Sequence, residues 1–450
     1  MTRYIIFLLI VFVQDAFLNT TLASSKAPNI IIVLADDLGY GDVGVYGAEL
    51  IKTPNLDKLA RNGVRLTQHY SSGNVCTPSR AGLLTGRYPI RTGLANRTLA
   101  IGDSRGMRQS EATLAEQLNS LGYRTAIVGK WHLGDKPEYH PLEHGFDEFF
   151  GVLYSNDEPE QALLKNRDAI ENPIDPQNLA VNFVKAASDF IEQNEDGPFF
   201  LYLASTSPHK PLIPSAQFAG KSKAGAYGDV VEELDWGVGQ IVSVLKKKAL
   251  YENTLIIFTS DNGPFPEGSP GGLRGGKGTA WEGGYRVPFI ASWPGQIKEN
   301  TESSAMSMNI DITPTLIKIA GGKTDSQPVL DGKDIYSVLT GSQQSPHEVL
   351  YFFNNERIAA LRTEKWRLTL SDYPPWRDAE PVLFAADKHL FNQMYDMELA
   401  PDQQYDLSRD HPLEKRKLEK YLSKGREILE SLSTQPNSTQ YVNVKDKVSD

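Results

Sequence analysis

Two pairs of oxygen-bearing side chains have the composition of a metal site. Asp36 and Asp37 follow one short apolar run, and Asp261 and Asn262 follow another. Carboxylate and amide oxygens suit a hard divalent cation, Ca²⁺ or Mg²⁺, better than zinc. Either pair alone is more simply explained as a helix N-cap or a turn. Carboxylates brought together from both pairs would repel one another, and a bound cation relieves that repulsion.

The lone cysteine is the second candidate for chemistry. Cys76 is the only cysteine among the 450 residues, so it cannot form an internal disulfide. Pro78 suits the first turn of a helix, which predicts that Cys76 lies just before a helix N-terminus, where backbone N–H groups favour negative charge. The alternative is a buried and chemically silent side chain, since free cysteine is among the most buried residue types.

Nitrogen-bearing side chains supply the remaining candidates. Lys130 and His132 are two residues apart and share one side of an extended chain, and His209 stands between prolines. A single histidine is more often structural than catalytic, so each is weak evidence alone. Lys277 closes a glycine-rich run that imitates a phosphate-binding loop, but Gly278 replaces the required Ser or Thr. We therefore exclude nucleotide binding and expect the glycines to let the backbone pass close to a ligand.

Four apolar runs must position these groups. The runs do not alternate with polar residues, which is typical of strands buried on both faces; they lie at 30–35, 125–129, 199–203 and 255–259. Stretches with helical spacing separate them, at 55–63, 110–121, 178–193 and 230–247. This alternation predicts an α/β fold, with a mixed, mostly parallel sheet flanked by helices and the ligand beyond the carboxyl ends of the strands.

The pattern changes after about residue 345. Short runs typical of antiparallel strands precede a charged amphipathic helix, which predicts a smaller C-terminal α+β subdomain; the runs lie at 349–353, 358–361, 366–370 and 394–397, and the helix at 413–432. The predicted organisation is a signal peptide at 1–23, a catalytic domain at 26–345, an antiparallel-sheet and helix subdomain at 346–435, and a flexible tail at 436–450.

The first residues have the pattern of an export signal. Arg3 precedes an unbroken apolar run at 4–13, and small residues at 22–25 offer a cleavage site. A span of the bilayer needs about 20 apolar residues, so an uncleaved anchor is the less favoured alternative. We expect an exported protein, periplasmic or secreted, with no transmembrane segment. The lack of disulfides and the short chain favour a bacterial host.

The charge of the chain limits its partners. The formal net charge is −10, and it does not change when the signal is removed with Arg3 and Asp15. This balance argues against nucleic acid as a partner. An anionic substrate must therefore meet a local cationic pocket rather than a basic surface.

Together these stretches resemble the formylglycine-dependent type I sulfatases of the alkaline-phosphatase-like superfamily. The family signature C-x-P-S-R, followed by A-G-L-L-T-G-R, stands without departure at 76–87. Further matches occur in the expected order, at 34–42, 129–134, 151–157, 207–209, 260–263 and 276–284. The Tyr154-Ser155 segment resembles the arylsulfatase A-like branch. The resemblance covers about residues 28 to 407, nearly the whole mature chain.

The resemblance implies a modified residue and a metal. Cys76 would be oxidised to formylglycine (3-oxoalanine) by a maturation enzyme during export. One Ca²⁺ would be held by Asp36, Asp37, the modified Cys76, Asp261 and Asn262. Catalysis would fall to Cys76, Arg80, Lys130, His132, His209 and Lys277. Substrate binding would fall to Lys130, Ser155, His209 and Lys277.

The family mechanism implies a role for each catalytic group. The formylglycine hydrate would attack sulfur in line, with its oxygen stabilised by the cation and Arg80, and form a covalent sulfate ester. His209 and Lys277 would protonate or neutralise the leaving oxygen. Lys130 would bind both the diol and the sulfate. His132 would take a proton from the second hydroxyl, so that the aldehyde reforms and sulfate leaves.

The expected substrate is a sulfated polysaccharide or oligosaccharide, because such polymers lie outside the cell. A phosphomonoester or phosphonate-ester hydrolase and a non-catalytic sulfoglycan-binding protein are the alternatives. The loops at 103–108 and 264–274, with Trp376 and Arg377, are candidate specificity elements, or else ordinary surface loops. Asn96 and Asn437 begin glycosylation sequons that would be used only in a eukaryotic host.

Overall fold

The computed structural model of the protein describes residues 27–158, 161–325, 328–371 and 392–433. The signal at 1–23, Trp376 with Arg377, the sequon at Asn437 and the tail at 436–450 lie outside these ranges. Among the described residues, no helix combines the length and the apolar character needed to cross a membrane.

The strands, in chain order, are β1 (Asn29–Ala35), β2 (Val64–Leu66), β3 (His69–Tyr70), β4 (Arg124–Lys130), β5 (Glu148–Val152), β6 (Leu163–Lys165), β7 (Asp168–Glu171), β8 (Phe199–Ala204), β9 (Thr254–Ser260), β10 (Phe289–Ser292), β11 (Thr301–Ser303), β12 (Ser307–Met308), β13 (Leu350–Asn354), β14 (Arg357–Arg362), β15 (Trp366–Thr369) and β16 (Gln393–Asp396).

The α-helices are α1 (Pro54–Arg61), α2 (Cys76–Thr85), α3 (Pro89–Thr92), α4 (Leu114–Ser120), α5 (Leu179–Gln193), α6 (Gly225–Lys247), α7 (Glu282–Tyr285), α8 (Ile312–Ile319), α9 (Tyr336–Leu339) and α10 (Pro412–Ser433). Single turns of 3₁₀ helix lie at Tyr40–Asp42, Gly44–Tyr46, Pro137–Tyr139, Pro141–Glu143, Tyr251–Asn253 and Asn309–Asp311.

The main sheet is mixed, with a parallel centre. Its order is β11-β2-β10-β9-β1-β8-β4-β5-β6-β7. The five central strands from β9 to β5 run parallel, whereas β10, β6 and β7 pair antiparallel toward the edges. The predicted α/β class and the four predicted central strands are confirmed. The edge strands were missed because most are short and lack an uninterrupted apolar run.

Successive residues of β1 enter opposite cores. Ile30, Ile32 and Leu34 lie in one apolar cluster, and Ile31 and Val33 lie in the other. Helices α2, α4 and α8 cover the first cluster, and α1, α5 and α6 cover the second. Each buried side chain of this size stabilises the fold by about 1.5–3 kcal/mol. The central strands are therefore held from both faces, which makes their ends a rigid platform.

A capping box sets where helix α4 begins, and a glycine marks where helix α2 ends. Thr113 accepts a hydrogen bond from the Glu116 amide and donates its own amide to the Glu116 carboxylate, so α4 starts at Leu114 rather than at the predicted residue 110. Helix α2 begins at Cys76 itself, one residue earlier than expected, and ends at Thr85, where Gly86 caps it with φ +66°. Cys76 is thus the first residue of its helix rather than the residue before it.

A separate four-stranded antiparallel sheet follows, in the order β13-β14-β15-β16. It confirms the predicted small C-terminal α+β architecture. Helix α10 packs Leu418 and Leu422 into a third apolar cluster, which also takes Tyr70 and Tyr285 from the main part of the chain. We call β13–β16 and α10 the C-terminal sheet unit.

A buried charged cluster joins this unit to the rest of the chain. The Glu282 carboxylate at the start of α7 lies 2.8 Å from Arg367, 3.4 Å from Arg286 and 3.7 Å from Arg362. Tyr70 also donates its hydroxyl to Glu282. We call Glu282 with the three arginines the Glu282 cluster.

Candidate active site

The oxygen-bearing pairs meet at the carboxyl end of the central sheet. Ala35 of β1 pairs with Ser260 of β9, so the next residues of both strands leave the sheet at one level. Asp261 donates its amide to the Ala35 carbonyl at 3.1 Å, and its carboxylate accepts from the Asp37 amide at 3.1 Å. Asp36 and Asp261 are fully buried. Strand register therefore brings together side chains that are 225 residues apart.

Lys130 ends β4 at the same edge. Its ammonium nitrogen lies 2.6 Å from the Asp36 carboxylate and 3.0 Å from the Ser155 hydroxyl. Ser155 follows β5 and also lies 3.2 Å from Nδ1 of His209. These contacts join Lys130, Ser155 and His209 into one polar wall beside the acidic pairs.

Cys76 faces the acidic pairs from the first position of α2. Its Sγ lies 3.4 Å from Asp36, 3.8 Å from Asp37 and 3.6 Å from the Lys277 ammonium. The side chain is buried, with 1% of its surface exposed. Helix N-termini favour negative charge through their free N–H groups. A nucleophilic oxygen at the Cys76 position would therefore be stabilised from the helix and from Lys277.

Arg80 lies one helical turn after Cys76, and its side chain reaches the same edge of the central sheet. Its guanidinium binds the Asp261 carboxylate at 2.8 Å, approaches Asp36 at 3.4 Å, and donates to the Lys130 carbonyl at 2.9 Å. The (i, i+4) spacing places both side chains on one face of the helix. The short signature at 76–80 thus delivers a potential nucleophile and a buried cation together.

Lys277 reaches the site from the glycine-rich loop. Its ammonium nitrogen lies 2.7 Å from the Asp37 carboxylate, and the side chain is 6% exposed. The loop backbone is bonded to the segment before the nucleophile, because Gly278 donates its amide to the Asn74 carbonyl. Gly278 has φ +80°, a backbone conformation that residues other than glycine rarely adopt.

The two histidines have different hydrogen-bond partners. His209 places Nε2 3.6 Å from Asp37 and Nδ1 2.7 Å from its neighbour's carbonyl, that of Lys210. His132 places Nε2 3.0 Å from the Leu99 carbonyl, and its buried Nδ1 has no hydrogen-bond partner. A carbonyl only accepts, so the Nε2 of His132 is the protonated nitrogen and Nδ1 carries the free lone pair.

The site has three carboxylates and three cationic groups. Asp36, Asp37 and Asp261 face Arg80, Lys130 and Lys277, and all six are buried; we call these six residues the active-site cluster. Each carboxylate has at least one cationic partner within 3 Å. The cluster is therefore electrically balanced as the chain alone builds it.

A divalent cation fits between these groups. Ligand atoms from Asp36, Asp37, Cys76 and Asp261 all lie within 4.8 Å of one another. The buried Oδ1 of Asn262 has no hydrogen-bond partner, while its Nδ2 donates to Asp37 at 2.8 Å. An unpaired buried carbonyl is costly, and a cation would supply its partner. The donor set is mostly oxygen, which suits Ca²⁺ or Mg²⁺.

Burial and neighbouring charges shift the pKa values of these groups. Burial raises the pKa of the Cys76 thiol well above its usual range, although Lys130 and Lys277 oppose it, so the thiol is neutral. Burial would also raise the pKa of Asp36, but Lys130 and other cations hold it well below its usual range. Burial and Asp36 raise the pKa of Asp261 to about 6. A bound cation would favour ionised Asp261.

The histidine pKa values move downward. Burial, with Lys130 and Arg80, lowers the pKa of His132 well below its usual range. Burial and Lys277 lower the pKa of His209, although Asp37 opposes this. His132 is therefore a neutral imidazole in the folded protein.

Every site residue predicted from the sequence lies at this edge. Three further residues shape the site and were not predicted: Asn74 bonds the Lys277 loop, and Asp42 accepts from Tyr227 at 2.6 Å and from the Ser269 amide at 3.0 Å. Asp42 ends the stretch 34–42 that resembles the family, and this resemblance could have indicated that it belongs to the site. Tyr227 and Asn74 have no local signal, since their partners are remote in sequence.

Comparison with known proteins decides the family. A family model described as Sulfatase matches residues 28–322, more than half of the chain. This chain belongs to the sulfatase family. A second model, described as the C-terminal region of N-sulphoglucosamine sulphohydrolase, matches residues 276–415 of this sulfatase. The predicted family and the predicted enzyme class, a sulfuric ester hydrolase, are confirmed.

Named relatives agree with this assignment. The sulfatase is 36% identical to human arylsulfatase A over 429 residues, covering 86% of this chain and 84% of the relative. It is 39% identical to mouse N-acetylgalactosamine-6-sulfatase over 365 residues, covering 74% and 70%. The solved structure of the PsFucS1 sulfatase from Pseudoalteromonas sp. is similar with a TM-score of 0.80 at 30% identity, covering 90% and 91%.

Proposed function

We propose that this sulfatase is an exported, formylglycine-dependent enzyme that removes sulfate from a sulfated carbohydrate. The observation that carries the proposal is the position of Cys76. Its Sγ lies within 3.8 Å of two candidate metal ligands and of Lys277, at the start of a helix. This arrangement would stabilise a developing oxyanion at that position.

The residues present fit a metal and a modified nucleophile. Asp36, Asp37, Asp261, Asn262 and the modified Cys76 would hold one Ca²⁺. When bound, the cation would act as a Lewis acid beside the nucleophile. Formylglycine in place of Cys76 would supply a hydrated aldehyde, with two hydroxyls on one carbon.

The cationic side chains would bind the sulfate on the side of attack. Arg80 and Lys130 are fully buried and are fixed by Asp36 and Asp261, so they need little reorganisation during the reaction. Lys130 also contacts the Ser155 hydroxyl, which would offer a further contact to sulfate oxygen. Preorganised charges of this kind stabilise the charge that spreads over the transferring group.

Proton transfers would fall to the two histidines. Nε2 of His209 lies 3.6 Å from Asp37, which also contacts Lys277. The leaving oxygen would lie on this side, so that His209 with Lys277 would protonate or neutralise it. His132 has its tautomer set by the Leu99 carbonyl, which leaves Nδ1 as a base. It would take the proton of the second hydroxyl and so release sulfate from the covalent ester.

The carbohydrate substrate is supported by relatives. Mouse N-acetylgalactosamine-6-sulfatase is named for a sugar sulfate. A solved sulfatase structure with a TM-score of 0.80 and 28% identity is described in the metabolism of glycosaminoglycans by Bacteroides thetaiotaomicron. Export and a periplasmic or secreted location rest on the pattern at 1–23. A catalytic domain at 26–345 and a subdomain at 346–435 complete the proposal.

Mass spectrometry of the peptide that contains Cys76 tests the mechanism. We expect an aldehyde in place of the thiol in active protein. Full activity with an unmodified thiol would overturn it. A matched pair of aryl sulfate and aryl phosphate esters tests the reaction class, and preferred hydrolysis of the phosphate ester would indicate a phosphatase instead.

A further inference from the structure

The C-terminal sheet unit contacts the loop that carries Lys277. We infer that Arg367 and Gln403 are positioning residues, which fix residues 274–282 so that Lys277 stays at the site. The role in catalysis rests on the proposed function, whereas the hold on the loop does not. We call residues 274–282 the Lys277 loop.

The inner side of the Lys277 loop is bonded to the main part of the chain. Lys277 donates its amide to the Pro264 carbonyl at 2.8 Å, and Gly278 donates to the Asn74 carbonyl at 2.8 Å. Asn74 also donates its side-chain amide to the Thr279 carbonyl at 3.0 Å. Asn74 is two residues before Cys76, so these bonds set the distance between the loop and the nucleophile.

The outer side of the loop is held by Arg367 of β15. Its guanidinium donates to the Ala280 carbonyl at 2.6 Å and to the Glu282 carboxylate at 2.8 Å. The Arg367 side chain is fully buried and lies over the Phe352 ring at 4.3 Å. A guanidinium fork of this kind fixes two acceptors in one geometry. The end of the loop is thus tied to the small sheet.

Gln403 supplies a second hold from the turn that follows β16. Its side-chain oxygen accepts from the Glu282 amide at 2.8 Å, and its backbone carbonyl accepts from Arg274 at 3.4 Å. The residue is fully buried and has φ +58°. A residue other than glycine keeps that conformation only where its surroundings require it. Gln403 therefore holds both ends of the Lys277 loop.

Aromatic contacts complete the outer side. Arg274 lies over the Trp281 ring at 3.5 Å, and Trp281 meets Tyr395 of β16 edge to face at 6.0 Å. Arg274 also donates to the Tyr395 hydroxyl at 3.4 Å. These contacts close the loop against β16.

The position of the loop matters for catalysis because the Lys277 side chain is long and flexible. A lysine side chain is flexible, so the place of its ammonium depends on where its backbone is held. Lys277 is 2.7 Å from Asp37 and 3.6 Å from Sγ of Cys76. A displacement of about 1 Å at a catalytic group can reduce the rate by about 10²-fold.

Two variants of Gln403 separate positioning from general stability. Gln403→Ala removes the acceptor of the Glu282 amide, and Gln403→Glu replaces the amide oxygen with a carboxylate oxygen that can also accept. Tyr351→Phe is the matched control, because it removes a hydrogen bond to the Tyr421 carbonyl within the C-terminal sheet unit, away from the loop. Hydrogen exchange of the peptide 274–283 and the kinetics of aryl sulfate hydrolysis are measured for all three and for the wild type.

We expect Gln403→Ala to speed amide exchange in peptide 274–283 and to lower kcat by about tenfold, with a smaller change in KM. Gln403→Glu should restore both toward wild type. Tyr351→Phe should change neither. Unchanged exchange in Gln403→Ala, or faster exchange with unchanged kcat, overturns the inference. A wild-type protein without sulfatase activity would instead overturn the proposed function, and the exchange result would still decide whether Gln403 holds the loop.

Discussion

Two buried charge clusters in this sulfatase are built in opposite ways. The active-site cluster sets three carboxylates against three cationic side chains. The Glu282 cluster sets one carboxylate against three guanidinium groups. The first is balanced in charge, and next to it the buried Oδ1 of Asn262 has no hydrogen-bond partner. The second carries an excess of positive charge and stands between two sheets.

Aromatic faces explain how the Glu282 cluster tolerates its charge. Arg362 lies over the Tyr70 ring at 5.1 Å, and Arg367 lies over the Phe352 ring at 4.3 Å. Ring faces attract cations, and the attraction strengthens when water is excluded. Burial and the neighbouring Arg367 still lower the pKa of Arg362 to about 9.

The unpaired atoms of the two clusters differ in kind, which indicates different roles. In the Glu282 cluster the buried atoms without a hydrogen-bond partner are donors, on the guanidinium groups of Arg362 and Arg367, and a metal cation cannot bind to them. The cluster instead joins the C-terminal sheet unit to the main part of the chain. Beside the active-site cluster the Oδ1 of Asn262 is an acceptor without a protein partner, and Asn262 is bonded to Asp37, so this cluster is suited to a cation. A buried charge cluster thus indicates a cation site when an unpaired acceptor lies among its carboxylates, and not by burial alone.

The largest effect should come from the potential nucleophile. Cys76→Ala should lower sulfatase activity by about 10⁵-fold, because loss of a nucleophile removes the covalent step. The apparent unfolding temperature should change by no more than about 2 °C in a protein of this size, since only a small side chain is lost. Initial rates with an aryl sulfate and a thermal melt measure the two quantities. Residual activity within tenfold of wild type would contradict the mechanism.

Substitutions in the Glu282 cluster should lower the stability of the fold. Glu282→Gln leaves three guanidinium groups without a carboxylate and should lower the free energy of unfolding by about 3–5 kcal/mol. Arg362→Met is the matched control, since it removes one of the surplus charges, and it should cost less than half as much. Urea denaturation of the two variants gives the comparison. An equal or greater loss in Arg362→Met would show that the excess charge is not what Glu282 offsets.

Stabilisation by a bound divalent cation should depend on residues at the active site and not on the Glu282 cluster. After the protein has been treated with a chelator, free Ca²⁺ is added back at about 100 times the Kd for Ca²⁺. This should raise the free energy of unfolding by about 3 kcal/mol, because only the folded state binds the ion. Asn262→Ala should reduce this response, and Arg362→Met should keep it. Thermal melts with and without chelator provide the measurement, and a parallel titration with Mg²⁺ identifies the preferred ion. An undiminished response in Asn262→Ala would place the cation elsewhere.

The smallest effect concerns acid sensitivity beside the Glu282 cluster. His69 is next to Tyr70, and burial lowers its pKa to about 3. In the unfolded chain the pKa of a histidine is about 6.5, so between that pH and about 3 the unfolded chain binds a proton that the folded protein does not. The free energy of unfolding therefore falls as pH falls, with a slope that approaches about 1.4 kcal/mol per pH unit.

His69→Asn tests this dependence. Asparagine can keep the hydrogen bond that His69 Nδ1 makes with the Ser307 hydroxyl at 2.9 Å, but it cannot titrate. Urea denaturation at pH 6.5 and 5.5 should show about 1 kcal/mol less acid destabilisation in the variant than in wild type, because the unfolded histidine is only half protonated at the upper pH. The other buried histidines are common to both proteins and cancel. Equal slopes would contradict the low pKa of His69.

Much of the central sheet could be predicted because its signals are local. The runs that became β1, β4, β8 and β9 are uninterrupted and apolar, as strands buried on both faces must be. Edge strands such as β6 and β11 have three residues each, which is too short for a periodic signal. The start of α4 was misplaced because a capping box, rather than apolar spacing, sets it.

The sequence by itself determined the family, the fold class and the residue types at four strand ends. These follow from contiguous motifs, since each motif needs only its own neighbours. It could not show that the Oδ1 of Asn262 is unpaired or that Leu99 sets the tautomer of His132. Those properties depend on atoms brought together by packing.

Only the tertiary structure decided how the Lys277 loop is held. Arg367 and Gln403 are 90 and 126 residues beyond Lys277 in the chain, in segments with no motif of their own. The contacts of Arg367 depend on the register of β15, because a slip of one residue would turn its side chain to the opposite face of the sheet. The contacts of Gln403 depend on the turn after β16. Such contacts have no local signature, because the packing of two sheets creates them.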